Sequence, residues 1–384
     1  MAQGPLEGVR VIDICSWFTG AMAACILADQ GADVIKVEPP GGDPFRTTGT
    51  SRAGHNAIFM AANRNKRSIV LDLKEPEHKE ALLAMIAGSD VFIQNAKPGA
   101  MDRLGLSADT LRAKFPRLIY ASISGYGQTG PNAREGAFDT MLQALSGMAA
   151  IQGGKDGERP QMVRTILPDK MTSPIVAQAI SSALFQRERT GHGCTIDYAM
   201  LDAMVWWMWP DGMMYHSFIG DGVQEGVDIS EVDLMCKTDD GFLVATAHQQ
   251  KEWERFVELV GRPELNDDPR FVTARARGKN LDAYTAVLRE SFRGRTTQEW
   301  CTLLRERDIP CAPVLRPQDV AAYPQVIWNG VIEEVEHPEA GRHRSARAPV
   351  RFDGHANGVL RPSPAAGADT AEVLREFGIE LAPS

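Results

Sequence analysis

Short apolar runs alternate with helix-length segments through the first third of the chain. Val9–Ile14, Asp33–Glu38, Ser68–Leu73, Asp90–Gln94 and Leu118–Ser124 each have the length and the β-branched content of a buried strand. Between them, Gly20–Gln30 reads as a helix stopped at Gly31, Glu75–Ala87 as a second, and Ser107 caps a third that runs to Phe115. Strands that alternate with helices in this way predict an α/β fold, a doubly wound and mostly parallel sheet covered on both faces. From Gly125 the texture changes to GYGQTGPNAREGAFDTM, which begins where the fifth strand ends. Ligands of open α/β sheets sit beyond the carboxyl ends of the strands, so this loop is a candidate pocket wall.

The next periodic stretch is Thr165–Arg189. Met171, Ile175, Val176, Ala179, Ile180 and Leu184 follow helical spacing, Arg187 and Arg189 suit the C-terminal end of the macrodipole, and Asp169 behind Pro168 has the character of an N-cap. A carboxylate at a helix start beside a pocket is also a potential nucleophile, and the pattern alone leaves both roles open. A strand around Cys194–Tyr198 and a helix through Trp207 follow, with Pro210-Asp211-Gly212 expected to end it. Asp211–Glu231 is polar and glycine-bearing, as a linker would be. Leu234–Cys236 and Phe242–Thr246 flank Asp239-Asp240-Gly241 like a hairpin. Helices are expected at Lys251–Val260, Leu281–Phe292 and Thr297–Arg307, then short strands at Val331–Val335 and Ala348–Phe352 and a last helix at Thr370–Phe377. The pattern itself gives a first α/β part and a smaller α+β unit that ends near Pro313–Val314, after which the chain returns to short strands.

Composition narrows the function. Of 384 residues 24% are charged and the net charge is −9, which disfavours a broad nucleic-acid surface. No run reaches the about 18 apolar residues of a membrane span; the nearest, AMVWWMW at Ala203–Trp209, is stopped by proline. Six scattered cysteines without CxxC spacing fit reduced thiols in a cytoplasmic protein. Among eight histidines there is no HExxH, and no metal site is expected. The turn Ser16-Trp17-Phe18-Thr19-Gly20-Ala21 is not GxGxxG, and GxxxxGK[ST] and GxSxG are absent, so dinucleotide, P-loop and serine-hydrolase chemistry lack their signatures. Basic residues instead recur after successive strands: Arg46, the NRNKRS cluster of Arg64, Lys66 and Arg67, then Lys74, Lys97 and Arg103. Their recurrence raises the prospect of a phosphate-bearing ligand, while each alone fits a solvated surface. The run Trp206-Trp207-Met208-Trp209 suits an acyl pocket, a core or a subunit interface.

PLEGVRVIDICSWFTGAMAACILADQGADVIKVEPPGGDPFR, NRNKRSIVLDLK, NAKPGAMDRLGL, SISGYGQTGP, ERTGHGCTIDYAMLDA, RDIPCAPV and DTAEVLREFGI occur in that order over nearly the whole chain. Together they resemble the family III CoA-transferases, which include formyl-CoA and carnitine CoA-transferases and a branch of α-methylacyl-CoA racemases. The resemblance implies a large α/β domain built from both termini, 1–210 with a return over 319–384, and a small α+β domain over 225–318, in an interlocked homodimer, with coenzyme A as the thioester substrate and no metal. It places Asp169 at the nucleophile position and Lys74, Asn95, Arg103 and Leu104 at CoA contacts, with Arg46 a looser candidate. The implied activity is transfer of CoA between an acyl-CoA and a free carboxylic acid through aspartyl anhydride and aspartyl thioester intermediates.

The chain departs from the family pattern in places. Phe138 stands where the racemases carry a histidine, and a phenyl ring exchanges no proton, although Asp139 beside it remains an available acid. The segment around Asp169 reads PDKM without flanking glycines, and no amide stands near Phe18. Between Glu225 and Lys237 there is no clear counterpart of the glycine loop that shields the intermediate in formyl-CoA transferase. An acyl-CoA racemase or epimerase, and a non-catalytic CoA-ester binding protein, therefore stay open as alternatives.

Overall fold

The computed structural model describes residues 4–153, 159–224, 233–356 and 358–381. The chain divides into two compact units, Met1–Gly153 with Pro160–Met208 and Pro324–Ser384, and, chiefly, Trp209–Tyr323. In the larger unit, β1 (Arg10–Asp13), α1 (Thr19–Asp29) and β2 (Asp33–Glu38) are followed by a two-residue hairpin, β3 (Ser51–Arg52) and β4 (His55–Asn56). Next come α2 (Ala57–Asn63), β5 (Lys66–Val70), α3 (Pro76–Ala87), β6 (Val91–Gln94), α4 (Ala100–Leu104), α5 (Ala108–Lys114) and β7 (Ile119–Ser124). Helices α6 (Asp139–Leu145), α7 (Met148–Gln152) and α8 (Leu167–Thr190) lead to β8 (Thr195–Ala199) and α9 (Met200–Gly212).

The long strands form one parallel sheet in the order β5-β2-β1-β6-β7-β8. Its core is the expected one: Ile12, Ile35, Ile69, Phe92 and Tyr120 pack with Leu82, Met85 and Ile86 of α3. Chain order runs outward from β1 through β2 to β5, then reverses through β6, β7 and β8. The crevice between the carboxyl ends of β1 and β6 is thus a topological switch point, where such sheets bind ligands.

Helix α1 crosses this end of the sheet at close range because its residues are small. A Cβ on Gly20 would lie 2.2 Å from Cys15 Sγ, and Ala21, Ala24 and Ala28 are buried. Helix α8 lies against α1 through the same face: Ser173 Oγ donates to Thr19 O at 2.9 Å, and Val176, Ala177, Ile180 and Leu184 are buried. At the far end Gly191, at φ 78°, stops α8, and Arg187 pairs with Asp90 at 2.8 Å.

Against α1 lies a buried ionic cluster. Lys66 Nζ uses its three donors on Asp13 Oδ2 (2.9 Å), Ala21 O (2.7 Å) and Asn63 Oδ1 (2.8 Å). Lys36 Nζ reaches Cys15 O at 2.8 Å and Asp43 at 2.9 Å. Burial opposes charge on Asp13, yet Lys66 and Lys36 hold its carboxyl below the ordinary range. The basic cluster NRNKRS is therefore structural. Lys66 is a fully buried strand residue, Arg64 binds Asp29 (Nε–Oδ1 3.1 Å), and Arg67 binds Asp33 and Glu376. The same facts move the third long strand to Lys66–Val70 from the expected Ser68–Leu73: a lysine with every donor matched can enter a buried strand.

Two other expectations change. Pro210 lies inside the last turn of α9 rather than after it, and residues 225–231 of the expected linker fall outside the described segments. Ala348–Phe352 forms no strand; instead β12 (Ile332–His337) pairs antiparallel with the polar β13 (Gly341–Ala346). The pairing of Arg342 with Glu334 explains how so polar a run joins a ladder. The final helix spans Thr370–Glu376.

The smaller unit has a three-stranded antiparallel sheet made of β9 (Met235–Lys237), β10 (Phe242–Ala245) and β11 (Cys311–Pro313). Its core is aromatic: Trp253, Phe256, Phe271, Tyr284, Phe292 and Trp300. Arg277 crosses that core over the Trp253 ring at 5.3 Å and donates to Phe271 O at 2.6 Å and His248 O at 2.9 Å.

Lys66→Met leaves Asp13 Oδ2, Ala21 O and Asn63 Oδ1 without their donor. It is expected to destabilise the larger unit by about 3–5 kcal/mol. Urea unfolding followed by near-UV circular dichroism measures this, and a loss below about 1 kcal/mol would show that the cluster is not what holds the β1 end of the sheet.

Candidate active site

The site is built at the β1–β6 switch point. The loop after β1 is fixed from two sides: Ser16 N–H donates to Asn95 Oδ1 at 3.0 Å, and Asn95 Nδ2 donates back to Ser16 O at 2.7 Å. Trp17 is held at φ 66°, a left-handed conformation unusual for a bulky residue. Its N–H donates to Asp43 Oδ1 at 3.2 Å, and its ring meets Phe45 at 5.8 Å. Such strain, typically about 1–3 kcal/mol, persists only where the surroundings over-determine it, as the Asn95 and Asp43 contacts do here.

Thr19 opens α1 immediately after this loop and is buried. Its Oγ1 donates to Asp169 Oδ1 at 2.6 Å. Asp169 is the third residue of α8, not its cap: the cap position is Ile166, which has no side-chain acceptor. The acceptor comes from another element. Asp169 N–H points to Asp139 Oδ2 at 3.4 Å, and Asp139 Oδ1 is held by Gln143 Nε2 at 2.6 Å. Gln143 Oε1 in turn accepts from Val163 N–H at 2.9 Å, which ties α6 to the irregular approach to α8.

Burial pushes the Asp169 carboxyl above the ordinary carboxylate range. The Thr19 hydroxyl opposes that rise and the Asp139 charge adds to it. Asp139 is raised as well, chiefly by burial, with Gln143 and the Asp169 N–H opposing. Cys15, the thiol closest in sequence to this loop, is pushed up by burial and so is not a thiolate nucleophile.

Asp169 faces a cavity of about 920 Å³ that lies wholly within the larger unit. One wall is the loop after β7, including Gly125, Tyr126, Gly136, Ala137 and Phe138. Gly125 is needed there, since a Cβ would fall 2.0 Å from that of Ala137. The floor is apolar, with Ile14, Phe18, Phe45, Ile166 and Met200. Lys74 and Lys97, after β5 and β6, are its lysines. The volume and the few polar groups are those of a site for a sizeable organic ligand.

The structure brings Asp169, Lys74, Asn95 and Leu104 to this one cavity. Arg103 stands exposed on the same short helix as Leu104 but does not line it. Arg46 is elsewhere engaged: its guanidinium forks onto Glu38 at 2.7 and 2.6 Å and lies 3.8 Å over the Phe59 ring. Of the Trp/Met helix only Met200 reaches the cavity, and Trp206 and Trp207 are exposed. Sequence reasoning missed Thr19 and Gln143, whose partners lie 150 residues away and in an irregular segment, respectively. Among the described residues no group of three or more His, Cys, Asp or Glu side chains could hold a metal ion, and no helix is long and apolar enough to cross a membrane.

A carboxylate raised by burial at the switch point of a parallel sheet, beside a large cavity with lysines at strand ends, fits a group-transfer site for an activated acyl ligand. The sequence model of CoA-transferase family III matches residues 6–370. Succinyl-CoA:glutarate CoA-transferase of Homo sapiens is 32% identical, with 97% of this chain and 86% of that protein aligned. Acetyl-CoA:oxalate CoA-transferase of Acetobacter aceti is 33% identical over 98% of this chain and 96% of that protein. Among solved structures, a CAIB/BAIF family protein from Brucella suis superposes with a TM-score of 0.84 at 32% identity, covering 98% of this chain and 100% of that one. Rv3272 from M. tuberculosis gives 0.83 at 31%, covering 96% and 98%. The chain belongs to CoA-transferase family III, as its motifs led us to expect.

The raised Asp169 carboxyl has two measurable consequences. Were Asp169 the nucleophile, its ionised form would be required, and kcat/KM would fall on the acid side with an apparent pKa above the about 3.9 of a free aspartate; an acid limb at or below that value would contradict the burial argument. The stability sign is the reverse of an ion-paired aspartate's. With the folded pKa above the unfolded one, ionisation costs stability as pH rises through the folded value, and the cost vanishes below the unfolded value. Asp169→Asn is therefore expected to raise Tm at neutral pH by a few degrees, with the gain shrinking toward pH 3, and an unchanged or lowered Tm at pH 7 would count against it.

Proposed function

We propose that this chain is an acyl-CoA:carboxylate CoA-transferase that works through covalent intermediates on Asp169. The observation that carries the reading is the placement of Asp169: half-buried, raised in pKa, and facing a cavity with lysines at strand ends. Its carboxylate attacks the carbonyl of the donor thioester, forming a mixed anhydride and releasing CoA thiolate. The thiolate adds to the aspartyl carbonyl, the donor acid leaves, and an aspartyl-CoA thioester remains. The acceptor carboxylate then repeats the two steps in reverse order to give the new acyl-CoA. Each bond broken is replaced by one of similar energy, so the cycle needs no external activation.

Lys74, Asn95, Arg103 and Leu104 are the proposed CoA contacts. Lys74 offers an exposed cation and Leu104 an apolar wall, while the Asn95 amide is used in holding Ser16. Arg46 fits this role least, because its guanidinium is committed to Glu38. Phe138 lines the cavity and has no exchangeable proton, so proton exchange at Cα would lack a base at that position. We further propose a two-domain subunit, 1–210 with 319–384 and 225–318, in an interlocked homodimer. Phe185, Trp206 and Trp328 of the larger unit, 65%, 69% and 85% exposed, are surfaces that a second copy would cover. Free cysteines throughout suit a reducing, cytoplasmic setting.

Asp169→Ala is expected to lower kcat for CoA transfer by at least about 10³-fold while acyl-CoA still binds. Steady-state transfer from a panel of acyl-CoA donors to carboxylic acids, with binding by calorimetry, measures both. Near-normal transfer by the variant would refute a role for Asp169 as nucleophile.

A further inference from the structure

The hydrogen bond from Thr19 to Asp169 divides the two carboxylate oxygens. Oδ1 accepts the Thr19 hydroxyl at 2.6 Å. Oδ2 is the oxygen left to attack a thioester. Thr19 is buried at the first position of α1, its carbonyl fixed by Ser173 Oγ at 2.9 Å, so the hydroxyl is aimed before any substrate arrives.

The bond lengths and positions have a consequence for the later steps. When Oδ2 becomes the bridging oxygen of the anhydride, Oδ1 becomes the aspartyl carbonyl oxygen. Two steps of the cycle add a nucleophile to that carbonyl carbon. In the first, CoA thiolate adds: a C–S bond forms, the C–O bond to the donor acid breaks, and the donor carboxylate leaves with the electron pair. In the second, the acceptor carboxylate adds: a C–O bond forms, the C–S bond breaks, and CoA thiolate leaves. In both, negative charge develops on Oδ1 in the tetrahedral intermediate, where a preorganised donor acts most strongly. The geometry points to Thr19 as a catalytic residue, its hydroxyl serving as the oxyanion donor for the aspartyl carbonyl in the two steps that exchange anhydride and thioester. The steps at the donor and acceptor acyl carbons do not use it in this way. This rests on Asp169 being the nucleophile, and it adds a residue that the CoA-transferase reading does not require.

Thr19→Val keeps the side-chain shape and removes the donor, Thr19→Ala removes it with less bulk, and Thr19→Ser keeps it. Valine and alanine are each expected to lower kcat by on the order of 10²-fold or more, with KM for the acyl-CoA within about threefold, and serine to recover most of the rate. Acid-quenched single turnovers with acyl-CoA give a second readout. Free CoA, detected by chromatography, should accumulate transiently in the valine variant because its return to the aspartyl carbonyl is slowed. A kcat within about threefold of wild type in Thr19→Val overturns the inference, as does a serine variant as slow as valine. A slow valine variant with no transient CoA also overturns it, since the hydroxyl would then act only by positioning. Asp169→Ala run in parallel separates the layers: if it retains transfer, the underlying reading fails whatever Thr19 does, and if it is inactive while Thr19→Val is not, only the oxyanion role fails.

Discussion

One carboxylate held out of water by two helices is the constraint on which the rest of this structure depends. An ionised side chain resists burial, and here the half-buried Asp169 is met by the Thr19 hydroxyl while burial and the Asp139 charge raise its pKa. That arrangement is unfavourable for stability and favourable for attack, because a carboxylate poorly solvated by the protein is a stronger nucleophile than one paired to a cation. The balance requires a rigid frame. It comes from the close approach of α1 to the sheet, which Gly20 permits, from the packing of α8 on α1 with Ser173 bonded to Thr19 O, and from the ionic cluster of Asp13, Lys36, Asp43 and Lys66.

The two groups of charges are treated in opposite ways by the same fold. In the cluster every ammonium of Lys66 and Lys36 meets carboxylates and carbonyls at hydrogen-bonding distance, and desolvation is offset locally. At the cavity, burial raises both Asp139 and Asp169, the Asp139 charge raises Asp169 further, and the hydrogen-bond donors that oppose the rise are neutral. Asp139 also completes the N-terminus of α8 from outside, accepting the N–H of Asp169. A negative charge at that point is favoured by the helix dipole and disfavoured by its neighbour, and the structure keeps both. The left-handed Trp17 belongs to the same economy of strain, since its contacts with Asp43 and Phe45 set the loop that delivers Thr19.

Much of this was legible in the residues. The parallel strands follow from short apolar runs, and β1, β2, β6 and β7 fall where periodicity puts them. Once the order of strands is known, the switch point between β1 and β6 follows, and with it the place of the site. Asp169 stood out by its position before an apolar helix, but the pattern could not distinguish a cap from a residue in the first turn, because both lie within two or three positions of Pro168. The basic cluster misled for a physical reason: Arg64, Lys66 and Arg67 look like surface charge until their partners Asp29, Asp13 and Asp33, each more than 30 residues distant, are seen. Arg46 also has a partner that the pattern did not show, Glu38, one loop earlier. Strand β13 was hidden by its polarity, and Thr19 by chemistry too ordinary to flag in a helix start. Local pattern fixes elements, whereas the pairing of polar groups across the fold decides which of them are free to act.

The central claim is that Asp169 carries CoA covalently during turnover. Incubation with an acyl-CoA in the absence of acceptor acid, acid quench and peptide mapping by mass spectrometry test it directly. The account predicts CoA joined in thioester linkage to the peptide containing Asp169. Steady transfer with no such adduct, or with CoA on another residue, would contradict it.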